Sequence, residues 1–156
     1  MCIVSSLALL WYHTIVRPFF ALDGSNVQAG VAAAQQLIDE SQEEFGQSAL
    51  FLFFKGRVER LRSNIGEALK AYQAAVVRSP QREIQLLCLH EVGWCHLIQL
   101  NWDKAHPCFL QLQKRSRWSR SFYSYLAASE YDTTVGVVQN THFPSTCMNS
   151  NCRTVC

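Results

Sequence analysis

The chain has 156 residues, room for one ordinary domain, and its 49% apolar content excludes intrinsic disorder over most of its length. A formal net charge of +2 supplies no strong field toward nucleic acid or an anionic membrane surface. Seven Gly and four Pro are too few for the many turns of an all-β fold and fit long helices joined by short connections.

Met1 to Val16 reads MCIVSSLALLWYHTIV, with no charge before Arg17. A secretory signal would carry a basic start and a small-x-small cleavage site before Pro18, and neither is present. The stretch is also short of the roughly 20 residues a membrane-spanning helix needs. A buried helix from Leu7 to Arg17, stopped by Pro18, is the expectation. Asp23-Gly24-Ser25-Asn26 reads as a turn and cap. Val27 to Phe45 then forms a second helix with Val27, Val31, Ala34, Leu37 and Ile38 on one face. Residues 1–46 are expected to form an N-terminal helical pair.

From residue 47 a repeat emerges. Taking Gly56 as the small residue of a first helix, Leu52 lies four before it on the same face. Ala68 follows by twelve, Tyr72 by sixteen, Ala75 by nineteen and Pro80 by twenty-four. These are the small, aromatic, small and helix-ending positions of a tetratricopeptide-type helix pair. The turn is placed at Ser63-Asn64-Ile65-Gly66. Gly93, 37 residues on, repeats the pattern with Leu89, Ala105 and Phe109, while Leu112 and Arg117 replace the second small residue and the proline. The surplus over the usual period of about 34 is assigned to the connection at Ser79-Pro80-Gln81-Arg82. Asn101 and Trp102 mark the second internal turn. Pro107 is placed in the first turn of the following helix, where a missing N–H is tolerated. A third first helix begins at Trp118, with Tyr123 and Ala127 in register. Repeats are thus expected at about 47–80, 84–117 and 118–130 within 47–130. Residues 131–156, rich in Thr, Asn and Ser without helical period, form a tail expected to be disordered or poorly packed. The fold class is all-α, antiparallel helix pairs stacked as a solenoid.

In such a solenoid the first helix of each pair lines a groove. The groove positions are Leu50, Phe53, Arg57, Arg60 and Leu61 in one unit and Leu87, His90, Trp94, Leu97 and Ile98 in the next. Phe53, Arg57, Arg60, His90, Trp94 and Leu97 are the candidate partner-binding residues. A Lys/Asn/Arg clamp for a terminal carboxylate would have only Arg57 and Arg60, without the Asn. The alternative is that these side chains contact neighbouring helices. Lys114 to Arg120, with Trp118 inside it, reads either as a patch for an anionic partner or as a solvated connection, and the connection is favoured.

Chemistry is sparse. His90, Cys88, Cys95 and His96 cluster on one helix; His96 and Cys88, eight apart, could share a face, but no acid follows to orient that imidazole. Phosphate-loop and dinucleotide fingerprints are absent. Cys147, Cys152 and Cys156, with His142, lack zinc-site spacing. Seven cysteines without a regular framework fit a reducing, cytoplasmic setting. No catalytic residue, cofactor or metal is assigned.

The strings VRPFFALDG (Val16 to Gly24), LFLFFKGRVERL (Leu50 to Leu61), QREIQ (Gln81 to Gln85), GWCHLIQLNW (Gly93 to Trp102) and RWSRSFYSYL (Arg117 to Leu126) resemble the tetratricopeptide-repeat protein 39 family. The resemblance covers roughly residues 7 to 130 and fades after about Ser129, as a partial or truncated member would. It implies a non-enzymatic intracellular adaptor that binds other proteins; the absence of nucleic acid among its partners is expected from the net charge alone. Through the family it also implies links to lipid homeostasis and cilium assembly. Weak membrane association is the alternative that the apolar N-terminus raises.

Overall fold

The computed structural model describes residues 3–21, 24–117 and 120–128. The tail at 131–156, with Cys147, Cys152, Cys156 and His142, lies outside them. Among the described residues there are helices and no strand.

The first helix is longer than its sequence suggests. It runs from Ile3 to Phe20 as α1 (Ile3–Trp11), a π-helical stretch (Tyr12–Val16) and α2 (Arg17–Phe20). Pro18 does not stop it. The wider π turn lets the Arg17 N–H bond to the Tyr12 carbonyl, five residues back. Pro18 has no N–H for the Thr14 carbonyl four residues back, and Arg57 Nη2 donates to that oxygen instead, at 2.9 Å. The Thr14 hydroxyl, fully buried, donates to the Leu10 carbonyl at 2.7 Å. At 18 residues this helix is, by length and composition alone, long and apolar enough to cross a membrane. The shorter estimate made from Met1 to Val16 therefore needs correction.

Helix α3 (Gly24–Phe45) begins three residues before the expected Val27, so Gly24 to Asn26 form its first turn. It buries Ala34, Ile38 and Ser41, the first two in a cluster with Leu10 of the N-terminal helix and the α4 phenylalanines. The repeat then unfolds as α4 (Ala49–Leu61), α5 (Ile65–Arg78), α6 (Arg82–Ile98), α7 (Trp102–Arg115) and α8 (120–128).

The helix pairs touch where the spacing placed small residues. A Cβ on Gly56 would stand 2.6 Å from Tyr72 Cε1, and one on Gly93 2.7 Å from Phe109 Cζ. Ala68, Tyr72, Ala75, Ala105 and Phe109 are fully buried. Each aromatic ring lies flat where a side chain would be, and that fixes how closely the pair can pack.

Both pairs turn in the same way. The Ser63 N–H bonds to the Arg60 carbonyl and the Asn64 N–H to the Glu59 carbonyl; 37 residues on, Leu100 bonds to Leu97 and Asn101 to His96. This is the Schellman arrangement, with the left-handed residue at Ser63 (φ 65°) and Leu100 (φ 56°). The turns are therefore 62–64 and 99–101, tighter than expected, and Ile65, Gly66 and Trp102 are helical. The longer period is explained by α6 itself, 17 residues against 13 in α4. The surplus is helix, not loop, and Arg82 belongs to α6. Pro107 sits in the second turn of α7 rather than the first, on the exposed side.

The apolar interior divides into two clusters. One joins Leu10, Ala34, Ile38, the α4 phenylalanines, Tyr72, Cys88 and Cys95. The other joins Leu86, Ala105, Phe109, Leu112, Tyr123 and Ala127. Each helix pair is thus glued mainly to its sequence neighbours, as stacked repeats require.

Candidate functional site

The first helices of the two clear units, α4 and α6, carry the side chains assigned to a groove. The structure sorts them into three groups.

Phe53 is core. It is 3% exposed, packs edge-on to Phe54 with ring centroids 5.4 Å apart, and lies 6.0 Å from Tyr72. It offers a partner no surface, because α5 folds back over the same face of α4 that Gly56 opens. Leu97 is half-buried against the second cluster, and Leu50 against the first.

Arg57 and Arg60, one helical turn apart on α4, are engaged by an internal acid. Arg57 Nη1 bonds to Glu91 Oε1 at 2.5 Å, and Arg60 Nε lies 3.1 Å from Glu91 Oε2. The second contact is an ion pair without hydrogen-bond alignment, since the Arg60 Nε–H finds no acceptor along its axis. The Tyr72 hydroxyl donates to Glu91 Oε2 at 3.3 Å. Burial, then the Glu91 charge, pushes the Tyr72 phenol above its ordinary range, so it stays a donor. Glu91 is 5% exposed. A carboxylate so buried persists because it is paired and hydrogen-bonded on both oxygens. Through Arg57 and the Thr14 carbonyl, the cluster ties the N-terminal helix to α4, α5 and α6.

His90 and Trp94 form the third group, with Tyr123 of α8. The indole Nε1–H donates to His90 Nε2 at 3.1 Å, and the Tyr123 hydroxyl lies 3.3 Å from His90 Nδ1. Indole is a donor only. Nε2 must therefore accept, and neutral His90 carries its proton on Nδ1. Burial lowers the His90 pKa; Glu91 pulls it up, and Arg60 and Arg57 push it down. Tyr123 stacks on Phe109 at 6.4 Å.

Beside this trio opens a cleft of about 520 Å³, lined by Leu86, Leu87, His90, Leu112 and Tyr123, with Glu83, Ser116 and Arg117. Leu87 is 39% exposed there. Ile98 is exposed as well, at the C-terminal end of α6. Of the basic run, Lys114 and Arg115 close α7, Ser116 is buried, and Arg117 and Arg120 are exposed; Trp118 lies outside the described residues.

Cys88 and Cys95 are buried, and their thiols are pushed up to about 12 and about 11, by burial first. Neither supplies a thiolate at neutral pH. Glu91, Thr14 and Tyr123 are the residues the sequence reading missed. The one visible signal was a single acid in the apolar run LLCLHEVGWC.

Close helix pairs, a small residue facing an aromatic ring at each crossing, and Schellman turns repeated at 37 residues make this a tetratricopeptide-like helical repeat protein. The chain belongs to the Iml2/Tetratricopeptide repeat protein 39 family, whose model matches residues 1–147. The match runs past Ser129, where the sequence reading let the resemblance fade. No solved structure matches the chain.

Proposed function

We propose that the chain is a non-enzymatic interaction scaffold in the cytoplasm that receives an apolar, uncharged segment of a partner protein along α6 and α8. The carrying observation is the open cleft beside His90, whose floor is leucine and aromatic side chains. Side chains of a partner strand or helix fit a cavity of this size and polarity. Selection of a phage-displayed random peptide library on the protein tests it. Peptides rich in Leu, Met or aromatic residues should be enriched, and Leu87→Glu should abolish their binding while leaving the helical content unchanged. Enrichment that survives Leu87→Glu overturns the reading.

A second reading is favoured by the N-terminal helix, whose Val4, Trp11, Tyr12, Phe19 and Phe20 are exposed and which carries no acid. An adaptor that rests this face in a lipid interface would suit the family links to lipid homeostasis and cilium assembly. Flotation with phosphatidylcholine vesicles tests it: the full chain should float, and Phe19→Ser/Phe20→Ser should not. Failure of the full chain to float rejects it.

A further inference from the structure

Resting on the proposed reading of the cleft, we infer that Trp94 and His90 aim the Tyr123 phenol proton into the cleft, where it takes a backbone carbonyl of an extended partner segment. The direction follows from donors and acceptors alone. An indole N–H can only donate, so the 3.1 Å contact from Trp94 Nε1 makes His90 Nε2 an acceptor. The neutral ring then carries its hydrogen on Nδ1 and turns it toward the Tyr123 oxygen, 3.3 Å away. The opposite tautomer would set an Nε2–H against the Trp94 N–H. Tyr123 is therefore the acceptor in its bond with His90, and its own O–H is left to donate elsewhere. No other hydrogen bond holds that hydroxyl among the described residues. Burial raises the Tyr123 pKa, so the proton stays in place. His90 and Tyr123 both line the cleft, whereas Trp94 acts from behind His90.

The chemistry of the occupant follows. The aliphatic lining is Leu86, Leu87 and Leu112. An apolar segment seated on these leucines has no side-chain acceptor to offer, so its acceptors are backbone carbonyls. A helical segment spends those carbonyls on its own N–H groups, except in its last turn. An extended segment leaves them open. From Glu83 to His90 the cleft follows α6 for seven residues, about 10 Å, the length of about three extended residues. Tyr123 is already only 8% exposed. A segment that covers it takes away the remaining water and must supply an acceptor in its place. A segment that sets an N–H there is refused, donor against donor.

The test uses the full chain and a fluorescent, capped peptide of three leucines flanked by lysine pairs, whose side chains hold no acceptor, read by anisotropy. In three further peptides one leucine carbonyl at a time becomes a thiocarbonyl, a weak acceptor of similar shape. Wild type should lose about fivefold in affinity at one of the three positions, the worth of one neutral hydrogen bond. Tyr123→Phe should weaken the parent peptide by the same factor and respond to none of the thiocarbonyls. Trp94→Phe, a change outside the cleft, frees Nε2 to hold the hydrogen. Tyr123 can then donate back to Nδ1, and the selectivity for that one carbonyl should fade. Ring-nitrogen chemical shifts of His90 read the cause: Nδ1–H in wild type, mixed tautomers in Trp94→Phe. Circular dichroism melts establish that each variant is folded, and the wild-type peptide series with the His90 shifts decides should the variants fail to fold. Thiocarbonyl losses that are equal at all three positions, or that persist in Tyr123→Phe, overturn the inference. So does a wild-type His90 that carries its hydrogen on Nε2. Those outcomes leave the cleft reading standing wherever Leu87→Glu still abolishes binding of the parent peptide. No binding of the parent peptide by wild type overturns both.

Discussion

A methyl group at Gly93 has nowhere to go. Its carbon would lie 2.7 Å from Phe109 Cζ and 3.1 Å from the two adjoining ring carbons, and the ring is fully buried. Gly93→Ala should cost about 1–3 kcal/mol by overpacking, read as a lowered melting temperature. Gly66, in the first turn of α5, has nothing within 4 Å of its would-be Cβ. There the same change should stabilise by up to about 1 kcal/mol, because alanine loses less backbone freedom in a helix. His90 makes a second prediction. Its folded-state pKa lies below the ordinary 6.5. The unfolded chain therefore binds more protons between the two values, and stability falls as pH drops below about 6.5. His13 and His96 are lowered too, each by burial first, and act in the same direction. Protonated His90 would also turn an N–H toward the Trp94 N–H. Melts at neutral and mildly acid pH should show a shallower pH slope in His90→Gln than in wild type. An unchanged slope would mean that His90 plays no part.

Among the elements, the helix pairs were legible and their ends were not. Gly56 with Tyr72 and Gly93 with Phe109 announced themselves because steric exclusion at a crossing leaves a fixed sequence spacing. The ends depend on hydrogen bonds that no single residue type enforces. Ser63 and Leu100 take the left-handed turn position usually held by glycine, so composition located the turns, through Asn64 and Asn101, but not their exact bounds. Leu100, 69% exposed, holds that conformation with no compensating burial. Leu100→Gly should raise stability by about 0.5–1 kcal/mol in denaturant melts. Pro18 misled for a related reason. It ends a helix only if the lost hydrogen bond and the ring clash cannot be absorbed, and here a π turn and an arginine from another helix absorb them.

For the molecule as a whole, the candidate site was half legible. Repeat spacing pointed to α4 and α6, and of the six candidate residues His90 lines the cleft. It could not tell Phe53, which the neighbouring helix covers, from a groove residue, because a solenoid's first helix shows apolar residues to both. Nor could it pair Arg57 with Glu91, which depends on how one unit sits on the next. That pairing also bears on how fast the chain folds and unfolds. Most contacts here are local, within a helix pair or between sequential helices, and such contacts form early. The bonds from Arg57 to Glu91 and to Thr14 instead close stretches of 34 and 43 residues. They belong on the native side of the transition state, as a clasp fastened after the pairs have docked. Stopped-flow measurements on Glu91→Gln should show unfolding accelerated roughly tenfold with refolding nearly unchanged. The Glu91 carboxylate would then set how long the N-terminal helix stays attached to the repeats.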